Sequence, residues 1–228
     1  MKILSIDTAS NLCTVSLLEN DVSIKEIIVN DARNHSEKIM PVIQQILQET
    51  NLNLYDIDLI VCDKGPGSFT GIRIGVGTVL AFQDCLNIPC IGISSLEALA
   101  YNVKQDGLIC SLIDAKNNNL YFGLFKLENN IYTQIGNFEF KAVSEVSNLL
   151  KEHQSPITFV GDGAITHKEF IQSNFSNCLF CEQNQLSSYS LGIAGLFAYK
   201  RGINTSLMPL YLRKSQAERA LEEKTKKE

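Results

Sequence analysis

The sequence predicts an α/β protein built from two similar lobes. Apolar segments of strand length alternate with helical patterns in the order βββαβαβα over residues 2–103. A similar series begins again after Gly107. In both series the first strand ends on an aspartate, Asp7 in one and Asp114 in the other, 107 residues apart. We therefore predict an internal duplication.

The first half opens with three predicted strands. Residues 2–7, KILSID, form a short apolar strand, and two further segments read as a hairpin that turns at Asn20 and Asp21. From His35 the spacing becomes helical, and Pro41 inside the pattern predicts a kink or a late helix start. The apolar residues expected on one face of this helix are Ile39, Val42, Ile43, Ile46 and Leu47.

The remainder of this half alternates strands and helices. Residues 57–63, IDLIVCD, read as a buried strand, and Thr70 to Leu86 reads as a helix. The segment IPCIGI at 88–93 predicts a strand, and residues 94–103 predict a helix capped by Ser94 or Ser95. The first lobe is expected to span residues 1–106.

The second half is predicted to repeat this plan over residues 107–212, followed by a charged tail at 213–228. A second match places FVGDGA at 159–164 over IVCDKG at 60–65. Accidental likeness between two α/β segments is the alternative explanation. A duplicated βββαβαβα unit is typical of the actin-like ATPase fold, also called the acetate kinase, Hsp70 and actin class, with two ribonuclease-H-like lobes. The expected second-half elements are a hairpin at 108–139, a strand at 156–160 and helices near 143–152, from about 165 and at 189–201.

Composition restricts the functional classes. A net charge of -5 disfavours a protein that binds nucleic acid alone through its phosphates. Seven scattered cysteines favour a reducing compartment, and CxxC at Cys178 and Cys181 has no second pair that would indicate zinc. The start carries no signal-peptide pattern, and no apolar run reaches the ~18 residues of a membrane helix. We expect a cytoplasmic protein without membrane association.

The segment GPGSFTGIRIG, Gly65 to Gly75, is neither of the two common phosphate loops. A P-loop requires a lysine and a hydroxyl residue after its glycines, and no lysine follows them here. A dinucleotide fingerprint requires GxGxxG, but Gly71 comes one position late and Pro66 stiffens the turn. The segment instead predicts a turn followed by a capped helix.

Gly71 and Gly75 lie four residues apart, on one face of that helix. Helix-interior glycines each cost about 0.5–1 kcal/mol relative to alanine, so close approach of another backbone is the expected compensation. That backbone belongs either to the same chain or to a partner. Arg73, in the same turn, is either a plain surface residue or a group that pairs with a carboxylate or another anion.

The turns after Asp7 and Asp114 read DTAS and DAKN, and neither contains glycine. In actin-like ATPases these turns approach the phosphates, where only glycine lets the backbone come close. The two aspartates mark a vestigial nucleotide cleft, in which they could hold Mg²⁺ through water, but independent ATP hydrolysis is not expected. No pair of histidines stands at metal-ligand spacing on a helix, so no metal site is predicted.

Seven segments, in order, resemble the bacterial TsaB (YeaZ) family of tRNA threonylcarbamoyladenosine biosynthesis. The resemblance runs from residue 1 to about residue 213, and GPGSFTGIRIG is its most specific segment. The others are ILSIDTAS, HSEKIMPVI, IPCIGISSLEALA, IDAKNNNLYFGLF, GDGA and PLYLR.

The resemblance implies a degenerate paralogue of the metal- and nucleotide-binding TsaD subunit, without catalytic residues or a cofactor of its own. It implies a heterodimer with a TsaD-like subunit, which would carry the ATP and the metal, and a TsaE-like ATPase that joins the complex. Alone, the chain is expected to form a homodimer through the same surface, and to meet tRNA only through the complex. Carried over by position, the interface candidates are His35, Glu37, Ile39, Gly71, Arg73, Gly75 and Thr78.

Two enzyme functions remain as alternatives. One is an independent nucleotide-dependent enzyme, and the other is a glycoprotease-like metallopeptidase. The peptidase alternative has no HExxH helix or other recognisable ligand set to support it. Tight binding of magnesium-ATP would favour the first, and zinc-dependent cleavage the second.

Overall fold

The computed structural model describes residues 1–30, 35–153, 155–203, 205–214 and 218. Within these residues, the first half contains five strands and three α-helices, plus a short 3₁₀ helix at Leu54–Asp56. In chain order they are β1 (Lys2–Asp7), β2 (Cys13–Glu19), β3 (Val22–Val29), α1 (His35–Glu49), β4 (Leu59–Asp63), α2 (Phe69–Leu86), β5 (Cys90–Ile93) and α3 (Ser95–Ala100).

The second half repeats this order with one additional helix. Its elements are β6 (Gly107–Asp114), β7 (Asn119–Glu128), β8 (Ile131–Ala142), α4 (Val143–Leu150), β9 (Ile157–Val160), α5 (Asp162–Thr166), α6 (Lys168–Asn174), β10 (Cys178–Phe180) and α7 (Ser188–Lys200).

Each half forms one five-stranded mixed sheet, and the two sheets have equivalent strand orders. They are β3-β2-β1-β4-β5 and β8-β7-β6-β9-β10. The hairpin strands pair antiparallel, whereas β1 with β4 and β6 with β9 pair parallel. This equivalence confirms the predicted two-lobed actin-like plan.

The central strands carry the core because both of their faces are covered. Residues Ile3 to Asp7 of β1 are all buried, with Leu4 and Ile6 facing α1 and α2. Ile3 faces the opposite side and packs with residues of α7. A strand covered on both faces reads as a continuous apolar run, which is why β1 was recognisable from sequence.

The last helix of each half packs on the sheet of the other half. Helix α3 lies against β6 and β7, while α7 lies against β1 and β2. Gly195 in α7 leaves the room that the Val61 side chain of β4 occupies. Helices α3 and α7 thus join the two lobes, because each packs on the sheet of the other half. The lobe boundaries at residues 106 and 212 stay a prediction.

Several elements differ from the expectation in detail. Helix α1 begins at His35 and continues through Pro41, so the helix does not start late. Proline has no N–H to donate to the preceding turn, but Pro41 is exposed, so the unpaired carbonyl of that turn can bind water. Strand β10 was not predicted, since three residues are too few for a periodic pattern. It contains Cys178, which like Cys181 is a half-buried free thiol. Among the described residues, no helix has the length and apolarity needed to span a bilayer.

Candidate functional site

An open cavity of about 610 Å³ lies between the two lobes. Ligands of open α/β sheets bind at the carboxyl ends of the parallel strands, and this cavity lies at those ends. The segments that line it include the turns after β1, β4 and β6 and the loop before α7. Their lining residues include 9–12, 66–68, 114–116 and 184–186. The sequence predicts a vestigial nucleotide cleft at this place, and of its two predicted residues Asp114 lines the cavity whereas Asp7 does not.

Asp7 lies behind the wall of the cavity and has no exposed surface. Its Oδ1 accepts a hydrogen bond from the Ala9 N–H at 2.7 Å, and its Oδ2 accepts one from the Ser10 hydroxyl at 3.3 Å. Its third partner is the carboxyl group of Asp63, at the end of the neighbouring strand β4. Asp7 is therefore held by groups of its own lobe and does not face a ligand.

Asp63 is equally buried and completes a carboxyl pair. It accepts hydrogen bonds from the Gly65 N–H at 2.6 Å and from the Ser95 hydroxyl, which lies 2.7 and 2.8 Å from its two oxygens. Burial raises the pKa of Asp7 to about 6. Burial, together with the charge of Asp7, raises the pKa of Asp63 well above its ordinary value. Both shifts favour the protonated form, as expected when two buried carboxyl groups lie in contact.

Asp114, the equivalent residue of the second lobe, lines the cavity directly. The Lys116 ammonium lies 2.7 Å from its Oδ2, and the Lys116 N–H donates to its Oδ1 at 2.9 Å. Partial burial pushes the pKa of Asp114 upward, but the hydrogen bonds and charge of Lys116 outweigh it and hold this pKa below its ordinary value. The carboxylate is thus ionised and already neutralised by a neighbour.

These donors do not fit a magnesium-triphosphate group, which an actin-like fold would bring to this cleft. A divalent cation needs ionised oxygens that face it. Asp7 is buried behind the wall and does not line the cavity, and the Asp114 carboxylate is paired with the Lys116 ammonium. Within the described ranges, no three histidine, cysteine or acidic side chains cluster as metal ligands.

The predicted interface residues divide into buried and exposed groups. Glu37 and Arg73 are exposed and Thr78 is half-buried. Ile39 belongs to the core, with 2% of its surface exposed. Helix α1 begins at His35, but the side chain of His35 lies outside the described residues.

The glycine face of α2 packs inside the chain, which corrects the expected role of Gly71 and Gly75 as partner contacts. A Cβ on Gly71 would overlap the Thr8 carbonyl oxygen, and one on Gly75 would lie 2.5 Å from the Thr8 hydroxyl oxygen. That hydroxyl donates to the Gly71 carbonyl at 2.7 Å. The side chain of Ile39 is likewise buried in the first-lobe core, so a partner could not contact it.

The exposed apolar side chains of α1 and α2 were not singled out from sequence. Met40 is 47% exposed and Leu80 is 40% exposed, and a Cβ on Gly77 would meet open space. The sequence does indicate their exposure. Met40 directly follows Ile39, and Leu80 directly follows Val79, and on a helix the residue after a core residue is turned away from the core face. Asp63 was also missed, although its strand ends beside that of Asp7.

Comparison with known proteins identifies the family. The sequence profile of the family described as "TsaD: tRNA N6-adenosine threonylcarbamoyltransferase" matches residues 24–221. A Bacillus subtilis protein, "tRNA threonylcarbamoyladenosine biosynthesis protein TsaB", is 33% identical over 222 residues, 96% of each chain. The chain belongs to the TsaB family.

Solved structures agree with membership of the TsaB family and with the fold. A Pseudomonas aeruginosa protein described as similar to the peptidase YeaZ is 25% identical, with a TM-score of 0.78 over 93% of this chain and 99% of that one. The activator of 2-hydroxyisocaproyl-CoA dehydratase from Clostridium difficile, solved with bound ADPNP, is 14% identical. It has a TM-score of 0.53 over 88% and 95% of the two chains. The second likeness concerns the fold alone and agrees with the actin-like ATPase fold that the sequence predicts.

Proposed function

We propose that this chain is a noncatalytic partner subunit in tRNA threonylcarbamoyladenosine biosynthesis. It pairs with a TsaD-like subunit and supports that subunit in modifying the adenosine next to the anticodon. Membership of the TsaB family supports the pathway, and the match to the TsaD profile supports kinship with the transferase. In this proposal ATP and metal belong to the TsaD-like subunit, a TsaE-like ATPase joins the complex in the cytoplasm, and tRNA is met only through the complex.

The observation that carries the proposal is the state of the strand-end aspartates. Asp7 is buried and hydrogen-bonded within its own lobe, and Asp114 is paired with Lys116, so neither offers a free carboxylate to a bound cation. The chain keeps the fold of a nucleotide-binding protein while the groups for nucleotide chemistry are engaged internally. This is the pattern expected of a relative that retains a packing surface after losing its active site.

The exposed side chains of α1 and α2 support the placement of the partner surface. Met40 and Leu80 expose 47% and 40% of their surface on two helices that pack on each other, and Gly77 leaves room for a close neighbour. Apolar residues exposed on adjacent elements are typical of protein interfaces. Arg73 and Glu37 supply charge beside them. We propose the same surface for the homodimer of the isolated chain.

Light scattering coupled to size exclusion tests the proposal. The chain would be measured alone and mixed with the TsaD-like subunit from the same source, with and without magnesium-ATP. We expect a heterodimer that forms at the expense of the homodimer. A mixture that elutes as two separate components would refute the pairing. Tight binding of magnesium-ATP to this chain alone would instead favour the alternative of an independent nucleotide-dependent enzyme.

A matched pair of variants tests where the partner binds. Leu80→Asp places a charge on α2, and Leu179→Asp places the same charge on β10 of the second lobe, where Leu179 is 46% exposed. We expect Leu80→Asp to weaken the heterodimer at least tenfold, because an interfacial carboxylate would be desolvated without a partner. Leu179→Asp should leave the affinity within about twofold of the unaltered chain. Equal effects of the two variants would contradict the assignment to α1 and α2.

A further inference from the structure

The segment after α7 returns across the first lobe. We call residues 205–214 the C-terminal strap. The Gly92 N–H of β5 donates to the Thr205 carbonyl at 3.4 Å, and the Thr205 hydroxyl donates to the Gly92 carbonyl. Leu207 is 8% exposed and packs in the first-lobe core. The strap therefore begins as an ordered part of the first lobe.

The strap then contacts the GPGSFTGIRIG segment. The Leu210 N–H donates to the Lys64 carbonyl at 2.7 Å. Gly65 makes room for this crossing, since a Cβ on it would lie 3.0 Å from the Leu210 carbonyl oxygen. The Tyr211 ring stacks on Phe69 with centroids 4.5 Å apart, and the Arg73 Nε donates to the Tyr211 hydroxyl at 2.8 Å. Tyr211 is thus anchored on the first two turns of α2.

The next two residues reach the second lobe. Leu212 packs against a cluster that contains Leu96, Ala115 and Tyr121. The Arg213 guanidinium donates to the Ala115 carbonyl at 3.1 Å and lies 4.8 Å from the centroid of the Phe140 ring. A charged donor and an aromatic face together make this contact directional.

The contacted turn forms part of the cleft wall. Ala115 and Lys116 line the cavity, and the turn holds Lys116, Asn117 and Asn118 at positive φ. Inside the turn, backbone bonds run from Ala115 to Asn119 and from Asn119 to Lys116. The turn has further hydrogen bonds within the second lobe, from the Asn119 side-chain amide to the Asn117 carbonyl and from the Val143 N–H to the Asn118 carbonyl. Arg213 is an additional anchor, which reaches the turn from the strap.

We propose that the C-terminal strap is a clamp between the lobes, in which Tyr211 is fixed on α2 and Arg213 holds the turn after β6, so that the strap sets the width of the cleft. This connection is separate from helices α3 and α7. It also joins the cleft wall to Arg73 on α2. The inference goes beyond the proposed function, because it concerns the isolated chain and does not depend on a partner.

Hydrogen exchange of the full chain tests the clamp. In Arg213→Ala we expect the amides of residues 115–120 to exchange about tenfold faster, because the turn loses its anchor. Tyr211→Ala should raise exchange of the same amides, although Tyr211 does not touch that turn. Met208→Ala is the matched control, since Met208 is a strap residue with 71% of its surface exposed. It should leave these rates within about twofold.

The variants at Arg213 and Tyr211 distinguish a clamp between the lobes from a contact that acts only on the turn after β6. If Arg213→Ala speeds exchange at 115–120 while Tyr211→Ala leaves it unchanged, the strap does not act as a unit and the proposal is overturned. Unchanged rates in both variants overturn it as well. Exchange in β1 and β4 verifies that each variant is folded. Should Arg213→Ala not fold, Arg213→Lys replaces it, because lysine keeps the charge but loses the planar stacking on Phe140. About threefold faster exchange is then expected, and an unchanged rate overturns the clamp.

Discussion

Gly71 and Thr8 are in direct contact, and this contact accounts for the glycine spacing of α2. The Thr8 hydroxyl donates to the Gly71 carbonyl at 2.7 Å, and a Cβ on Gly71 would overlap the Thr8 carbonyl oxygen. The first turn of α2 therefore rests on the end of β1, beside the buried Asp7. No residue other than glycine fits at this position without moving one of the two elements.

Replacing this glycine should destabilise the chain, whereas replacing an exposed glycine of the same helix should stabilise it. Gly71→Ala is expected to lower the free energy of unfolding by roughly 1–3 kcal/mol through overpacking. Gly77→Ala should raise it by about 0.5–1 kcal/mol, because its Cβ meets open space and alanine favours the helix. Urea unfolding of both variants measures the difference. Equal shifts of the same sign would contradict the contact.

The Asp7–Asp63 pair should make stability fall as the pH rises. The pKa of Asp7 is raised to about 6 in the folded chain, from 3.8, so the folded state binds more protons than the unfolded state between these values. Stability is then lost progressively from about pH 4 to pH 6 and above. Asp63→Asn imitates the protonated acid, and its amide can donate to Asp7. We expect a higher melting temperature at pH 7.5 and a flatter pH profile.

Asp114→Asn is the control, because the pKa of Asp114 is shifted in the opposite direction. The pKa of Asp114 is lowered by Lys116, so its contribution is present above the unfolded pKa and disappears as the pH falls through the folded value. This variant should melt below the unaltered chain at pH 7.5 and match it at low pH. Parallel pH profiles for the two variants would contradict the opposite directions of the two pKa shifts.

Glu26 on β3 should be needed to hold α7 on the first sheet. Its Oε1 accepts hydrogen bonds from the hydroxyls of Ser16 and Ser188, at 3.0 and 2.8 Å, and from the Tyr189 N–H at 3.3 Å. A carboxylate at a helix N-terminus is also favoured by the helix dipole. Glu26→Ala removes the acceptor that these donors share and leaves only the Ser16–Ser188 and Tyr189–Ser187 hydrogen bonds, so it is expected to cost about 1–3 kcal/mol. Glu26→Gln retains an acceptor oxygen and should lose less. Thermal unfolding distinguishes the two, and an equal loss would contradict the role of the oxygen.

Asn87 should be replaceable by glycine with a gain in stability. It ends α2 in the left-handed region, with φ 53°, which glycine adopts without strain. Asn87→Gly is expected to stabilise the chain by a few tenths of a kcal/mol, whereas Asn87→Ala should destabilise it by about 1 kcal/mol. Melting temperatures that do not separate the two variants would contradict the assignment of this cap.

Most of the fold was predictable because each half is built from elements with strong local patterns. The buried strands β1 and β4 read as apolar runs, and the polar turns between them mark their ends. The short strand β10 was missed because three residues carry no periodicity. The site was predicted only in part. The aspartates could be located at strand ends, but the burial of Asp7 and its contact with Asp63 depend on residues 56 positions apart.

The sequence by itself determined the order of the elements, the repetition of that order and the family, because these depend on patterns along the chain. Only the tertiary structure decided which face of α2 is buried inside the chain. It alone also brings the Tyr211 hydroxyl to the side chain of Arg73. The spacing of Gly71 and Gly75 predicts a close approach, and the end of β1 satisfies it as well as a partner helix would. Close contacts and pKa values depend on distances in space, and a linear pattern does not contain those distances.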